Sequence, residues 1–225
     1  MTLTIQSAGR VRRRKATPRR AAPVGRPKLR SDDEQRAMIV AVAMALFLDD
    51  GFVEMKMSDV ATRCAISKRT LYRLFPSKVA LFRALVEAHR STMVHFPAGI
   101  EMQPLDHALA EIFRIDLDDA EDEARRRFVM RAVEEARQVP EIGTILHEHG
   151  GEQTRGLLAE WLGKWLVHFP DRLENPLAAA SILTDIMFGA IVRRQLEPRY
   201  WPGGTDRRAY LRECIRCFVN GVARA

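Results

Sequence analysis

Apolar residues recur three and four positions apart along most of this chain, the period of helices that bury one face. Ser31 offers a helix-capping hydroxyl and is followed by Asp32, Asp33 and Glu34, acids suited to the positive end of a helix dipole, with Glu34 completing a possible capping box. Ile39, Val40, Ala43 and Phe47 then repeat at helical spacing, and Asp49-Asp50-Gly51 ends the run so that Phe52 folds back onto the core. A short helix is expected over Asp59 to Ala65, capped by Ser58, with Val60, Ala61 and Cys64 inward. The next is capped by Ser67 and closed by Pro76. It turns Leu71, Leu74 and Phe75 inward, Arg69 and Arg73 outward, and Thr70 and Tyr72 to the flanks.

Ser77 starts a further helix with Leu81, Phe82, Leu85 and Val86 on its inner face, continuing through His89 and Met93 to Phe96 before Pro97 and Gly99. Beyond it, Pro104 opens a helix carrying Leu105, Leu109, Ile112 and Phe113, and another runs from about Glu121 to Val139. A long helix from near Pro140 holds a possible kink at Gly150-Gly151 and ends in Leu158, Trp161, Leu162, Trp165, Leu166 and Phe169. Asn175-Pro176 gives cap and first-position proline to a helix that is apolar nearly all round, and Leu211, Cys214, Ile215, Phe218, Val219 and Val222 mark the last. No strand alternation or internal repeat competes, so the expected fold class is all-α with about nine helices.

Charge divides the chain more sharply than hydropathy does. Residues 1–31 carry ten basic groups and no acid, whereas the other 194 residues hold 26 basic against 29 acidic groups, a net of −3. Broken by Pro18, Pro23 and Pro27, the first 30 residues are expected to be a disordered arm that condenses on polyanions. Within it, Gly25-Arg26-Pro27-Lys28 suits an extended segment lying in a narrow A·T minor groove. A second basic cluster spans Asp59 to Arg83, where six basic groups face one acid. Lys68, Arg69 and Arg73 would reach the major groove or its flanking phosphates, and the helix start at Ser77-Lys78 would take another phosphate. The first ten residues lack the apolar region of a secretory signal and three cysteines cannot all pair, so a reducing cytoplasm is expected.

Residues 34–85 resemble the TetR family of bacterial transcriptional regulators, through Ile39, Ala43, Phe47, Gly51 and Phe52, through Val60-Ala61, and through Ser67-Lys68-Arg69-Thr70-Leu71-Tyr72 and Phe75-Pro76-Ser77-Lys78. The resemblance implies an all-helical homodimer whose first three helices bind DNA, with Thr70, Tyr72 and Lys78 touching sugar-phosphate backbone or base edges. The domains expected are a basic arm over 1–30, a helix-turn-helix DNA-binding domain over 31–80 and an effector-binding and dimerisation domain over 81–225. Two positions depart from the family pattern. Ala65 stands where the turn usually has glycine, which matters if the residue adopts positive φ. Leu74 stands where an aromatic residue or histidine is frequent, so one DNA contact is absent.

The function expected is a sequence-specific transcriptional regulator, a repressor released from a double-stranded DNA operator by a small apolar ligand. The alternatives are a constitutive DNA-binding dimer without an effector and a helical enzyme. The DNA contacts expected are Ser58, Lys68, Arg69, Thr70, Tyr72, Arg73 and Lys78, with Arg26 from the arm. The helix from Ser77 would couple the two halves. Candidates for the effector pocket are Met93, Phe96, Phe113, Met130, Glu134, Trp161, Trp165 and Phe188, large or polar side chains on helices that would surround a cavity; His149 is a further polar candidate. Homodimerisation is expected through helices near 176–194 and 206–222.

The enzymatic signals are weaker. Asp118-Asp119-Ala120-Glu121-Asp122 has the DDxxD spacing of magnesium-diphosphate sites, but it lies at a helix start where acids cap, and no second acidic motif accompanies it. Cys214 and Cys217 lack a second pair, and His147 and His149 fall about 200° apart on a helix. No catalytic residue, metal site or cofactor is expected, and no apolar run reaches the roughly 20 residues that span a bilayer.

Overall fold

In the computed structural model, residues 31–166, 175–193, 201 and 206–223 are described. The basic arm with Arg26, and Phe169, lie outside them. The chain divides after Ser31, and the helices belong to the unit that begins at Asp32. Among the described residues there is no strand, and the all-α expectation holds.

Helix α1 (Asp32–Glu54) begins with three acids in its first turn and buries Ile39, Ala43, Leu46 and Phe47. Gly51 interrupts it at φ 81°, the left-handed half of backbone space that glycine enters without steric cost. A side chain there would also collide with the Arg131–Glu135 pair of a later helix. After this break Phe52 returns to the core, its ring 5.3 Å from Phe82.

Helices α2 (Met57–Arg63) and α3 (Lys68–Leu74) form the helix-turn-helix. The expected cap at Ser58 is corrected. The helix starts two residues earlier, after Lys56, because Met57, Val60 and Ala61 together form its buried stripe. Ala65, in the turn, has φ 52°, as the glycine-for-alanine comparison anticipated. Helix α4 (Lys78–Met93) is capped by the Ser77 hydroxyl, which accepts from Ala80 N–H at 3.0 Å. It stops at Met93 and not at Phe96. A helix through Pro97 would press the proline ring against the Met93 carbonyl, and Val94 instead turns extended while His95 N–H donates to Ile112 at 2.8 Å.

A single 3₁₀ turn (Ile100–Met102) leads to α5 (Leu105–Ile112) and α6 (Asp119–Gln138). Asp118 caps α6 by accepting from Glu121 N–H at 2.8 Å, so the DDxxD run serves a helix start. Helices α7 (Pro140–Ile145) and α8 (Gln153–Leu166) are joined without a break by a π segment, Leu146–Glu152, which contains Gly150 and Gly151. The expected kink is thus a wider turn of helix. Asn175 accepts from Ala178 N–H at 3.0 Å to start α9 (Pro176–Arg193), and Asp206 does the same for α10 (Arg207–Ala223) through Ala209 at 2.7 Å.

Two hydrophobic cores result among the described residues. The first unites α1 to α4 with Phe128 and Ala132 of α6 and Ile142 and Ile145 of α7, and so draws on both sides of residue 80. The second joins α5, α8, α9 and α10.

Candidate nucleic-acid interface

The α3 face owes its geometry to its cap. Ser67 Oγ accepts from Thr70 N–H at 3.0 Å and lies 2.9 Å from the Thr70 hydroxyl, which fixes the first turn. Leu71 and Leu74 are buried beneath it. Leu74 therefore cannot reach a ligand on the outer face. Lys68, Arg69 and Tyr72 project outward, Tyr72 being 48% exposed, and Thr70 is partly exposed beside them.

The basic groups of this face are not equivalent. Lys68 and Arg69 make no ion pair among the described residues. Arg73, expected to point at DNA, is instead engaged by Asp32 at the start of α1, with Nη1 and Nη2 at 2.7 and 3.0 Å from the two carboxylate oxygens. That bidentate hydrogen bonding raises its pKa. Lys78 is likewise tethered. Its Nζ donates to Val53 O at 2.9 Å and lies 4.6 Å from the centre of the Phe52 ring, and burial lowers its pKa. Ser58, in the first turn of α2, donates to Asp59 at 3.2 Å.

These elements enclose a shallow groove of about 580 Å³ running from Met55–Ser58 across Lys68 and Tyr72 to Pro76–Lys78. Three lysines, Lys56, Lys68 and Lys78, line it without a carboxylate. Lys56 was not singled out from the sequence; its place two residues before the expected cap was the available signal. A groove with three cations, two serine hydroxyls and an exposed phenol suits a chain of phosphates.

A second concavity, of about 260 Å³, lies among α4, α6, the π segment, α8 and α9. Of the expected pocket residues, Met93 and Phe188 line it. Phe113, Trp161 and Trp165 are buried in the second core, and Phe96 packs against that core. Met130 and Glu134 are on the exposed side of α6, because Phe128 and Ala132 occupy its buried stripe. The residues that line the cavity from α6 are Phe128, Val129 and Val133.

His89 projects from α4 into this cavity, its ring stacked 4.2 Å from Phe128. Burial, helped by the nearby Arg125 charge, pushes its pKa down to about 3. Arg125 is itself buried, which lowers its pKa to about 10, and donates to the Met93 carbonyl at 3.1 Å. Aromatic contacts continue from Phe128 to Phe47 at 5.3 Å, Phe47 to Phe82 at 5.2 Å, and Phe82 to Phe52, which Lys78 covers. Packed side chains thus connect the cavity wall to the basic groove. His149, outside the cavity lining, lies 3.1 Å from Glu87 of α4.

Along α9 and α10, Leu177 and Ile182 are exposed, and an apolar groove passes between Ile182, Ile186 and Phe218. Cys214 and Cys217 are free thiols on α10.

The geometry defines a helical protein with a helix-turn-helix whose second helix presents Lys68 and Arg69, unpaired among the described residues. Residues 39–85 match the model of the family described as bacterial regulatory proteins, tetR family. The helix-turn-helix segment is thus of the TetR type. It is similar to the HTH-type transcriptional activator FasR of Mycolicibacterium smegmatis, 34% identical over 62 residues; the match spans 28% of this chain and 28% of that protein. Among solved structures, the flavonoid-responsive regulator FrrA is 24% identical with a TM-score of 0.61, covering 86% of this chain and 100% of that one. GusR of Salmonella enterica is 16% identical with a TM-score of 0.58, covering 87% and 98%. Likeness at this identity concerns the fold, and it extends through the carboxy-terminal helices.

Proposed function

We propose that this protein is a sequence-specific DNA-binding transcriptional regulator, acting as a cytoplasmic homodimer that a small ligand releases from its operator. The observation that carries the reading is the α3 face, where Lys68 and Arg69 stand without ion-pair partners among the described residues, beside exposed Tyr72 and capped Thr70. Free cations and hydroxyls on one short helix, continued by the Lys56–Lys78 groove, are the chemistry that binds phosphate and base edges together. Arg73 serves this interface indirectly by holding α3 against the start of α1. The arm, with Arg26, adds phosphate affinity.

The exposed Leu177 and Ile182 of α9, and the apolar groove that Ile182 shares with Phe218 of α10, support a two-fold interface that pairs two reading heads, since two half-sites demand two copies. The cavity supports effector control, because its wall is α4, the helix whose other end starts at Lys78 beside the groove. FasR is named an activator, so the sign of regulation is decided by experiment.

The test is fluorescence anisotropy of the protein on DNA from upstream of its own gene, with a compound screen for release and a promoter-reporter assay. Sequence-selective binding, reversal by a compound and reporter output that rises on release support the reading. Selective binding that no compound disturbs favours a constitutive DNA-binding dimer, and binding without sequence preference contradicts both. Reporter output that falls on release identifies an activator.

A further inference from the structure

The cavity bounded by α4, α6, the π segment, α8 and α9 is apolar over most of its wall, yet two of its side chains each bury a nitrogen that has no hydrogen-bond partner among the described residues. His89 is 9% exposed and its buried Nε2 makes no hydrogen bond. Arg90, the next residue, buries an unpartnered Nε and forms no ion pair among the described residues. The other polar groups are already engaged. Arg155 donates to Glu152 at 2.7 Å and faces Asp185 at 3.8 Å, while the Thr154 and Thr184 hydroxyls donate to Gly150 and Ala180 carbonyls at 2.7 and 2.6 Å. Buried polar groups normally find partners, and two orphans against one cavity mark a place that a ligand completes.

Resting on the reading of this cavity as the effector site, we propose that it takes small aromatic carboxylates, the ring lying among Phe128, Val129 and Phe188 and the carboxylate accepting hydrogen bonds from Arg90 and His89. The Arg90 guanidinium supplies charge and an N–H donor. His89 remains neutral near pH 7 and supplies a donor at Nε2 in the tautomer that carries its proton there. Asp185 is held on the Arg155 side, so the Arg90 charge is the one left to answer. A neutral amide of the same shape leaves that charge unmatched, and an ammonium opposes it.

The experiment is calorimetric titration of the full-length protein with 2-naphthoate, 2-naphthamide and 2-naphthylmethylamine at neutral pH. Naphthoate is expected to bind about tenfold or more tightly than the amide, with the amine weakest. Arg90→Gln is expected to abolish the preference for naphthoate over the amide, and persistence of the preference in the folded variant overturns the assignment. If that variant does not fold, the wild-type series decides alone. Equal affinities, or a preference for amide or amine, overturn the carboxylate assignment while leaving the cavity an effector site. Binding by none of the three also overturns it, and the effector reading then stands or falls on the operator-release screen.

Discussion

Ala65→Gly should stabilise the protein. Ala65 sits in the helix-turn-helix turn at φ 52°, where Ile66 N–H donates to Ala61 O at 3.0 Å and Ala65 N–H to Thr62 O at 3.0 Å. An L-residue with a Cβ pays roughly 1–2 kcal/mol for that conformation. Glycine removes this strain but gains freedom in the unfolded chain, which takes back about 0.4–1 kcal/mol. Ala65 is exposed, so losing its methyl sacrifices no burial. The net is a gain of about 0.5–1 kcal/mol, or a Tm rise of roughly 1–4 °C for a chain of this size. Urea and thermal unfolding followed by circular dichroism measure it, with Ala65→Val as a control expected to lose about 1 kcal/mol or more, because branching at Cβ aggravates the strain. A stability loss in the glycine variant, or a valine variant as stable as wild type, refutes the argument that the turn is strained at this residue.

Phe128→Ala, which empties a site packed between Phe47 and His89, should cost about 3–5 kcal/mol in urea unfolding; a loss under about 1 kcal/mol would deny that α6 completes the first core. The pH dependence follows from His89. Its folded pKa of about 3 lies below the ordinary 6.5, so the unfolded chain binds the extra proton, and stability present above pH 6.5 is lost as pH falls toward 3. Between pH 6.5 and 5 the loss from this group should be about 2 kcal/mol, and His89→Phe should remove it; equal pH profiles for the two proteins would contradict the neutral, buried imidazole. Deleting residues 1–28 should flatten the salt dependence of DNA binding by about 0.9 for each phosphate the arm meets, and an unchanged slope removes the arm from the interface.

The parts legible in the sequence are those decided within one or two turns of helix. Ser67, Ser77, Asp118 and Asn175 each accept the backbone N–H that a capping residue should, and Gly51 and Ala65 both take positive φ. Local signals failed where a neighbour outweighed them. Burial of Met57 moved the start of α2 ahead of Ser58, and Pro97 acted four residues back to stop α4 at Met93. Tertiary partners were out of reach. Nothing near Arg73 announced Asp32, 41 residues earlier, as its partner. Helical spacing likewise separates buried from exposed positions without saying which of two cores a buried residue joins, so Trp161 and Phe128 look alike on paper, yet one enters the second core and the other bridges the first core and the cavity.

The most direct test of the central account compares Lys68→Ala/Arg69→Ala with Arg73→Ala on operator and random DNA, by anisotropy across a salt series. If the unpaired groups read DNA, the double variant loses operator preference and its salt slope falls by about 1–2, with its unfolding midpoint unchanged. Arg73→Ala, which removes the tie to Asp32, instead weakens operator binding with a smaller change in slope. A double variant that keeps wild-type preference and slope would contradict the assignment of the α3 face as the DNA-reading surface.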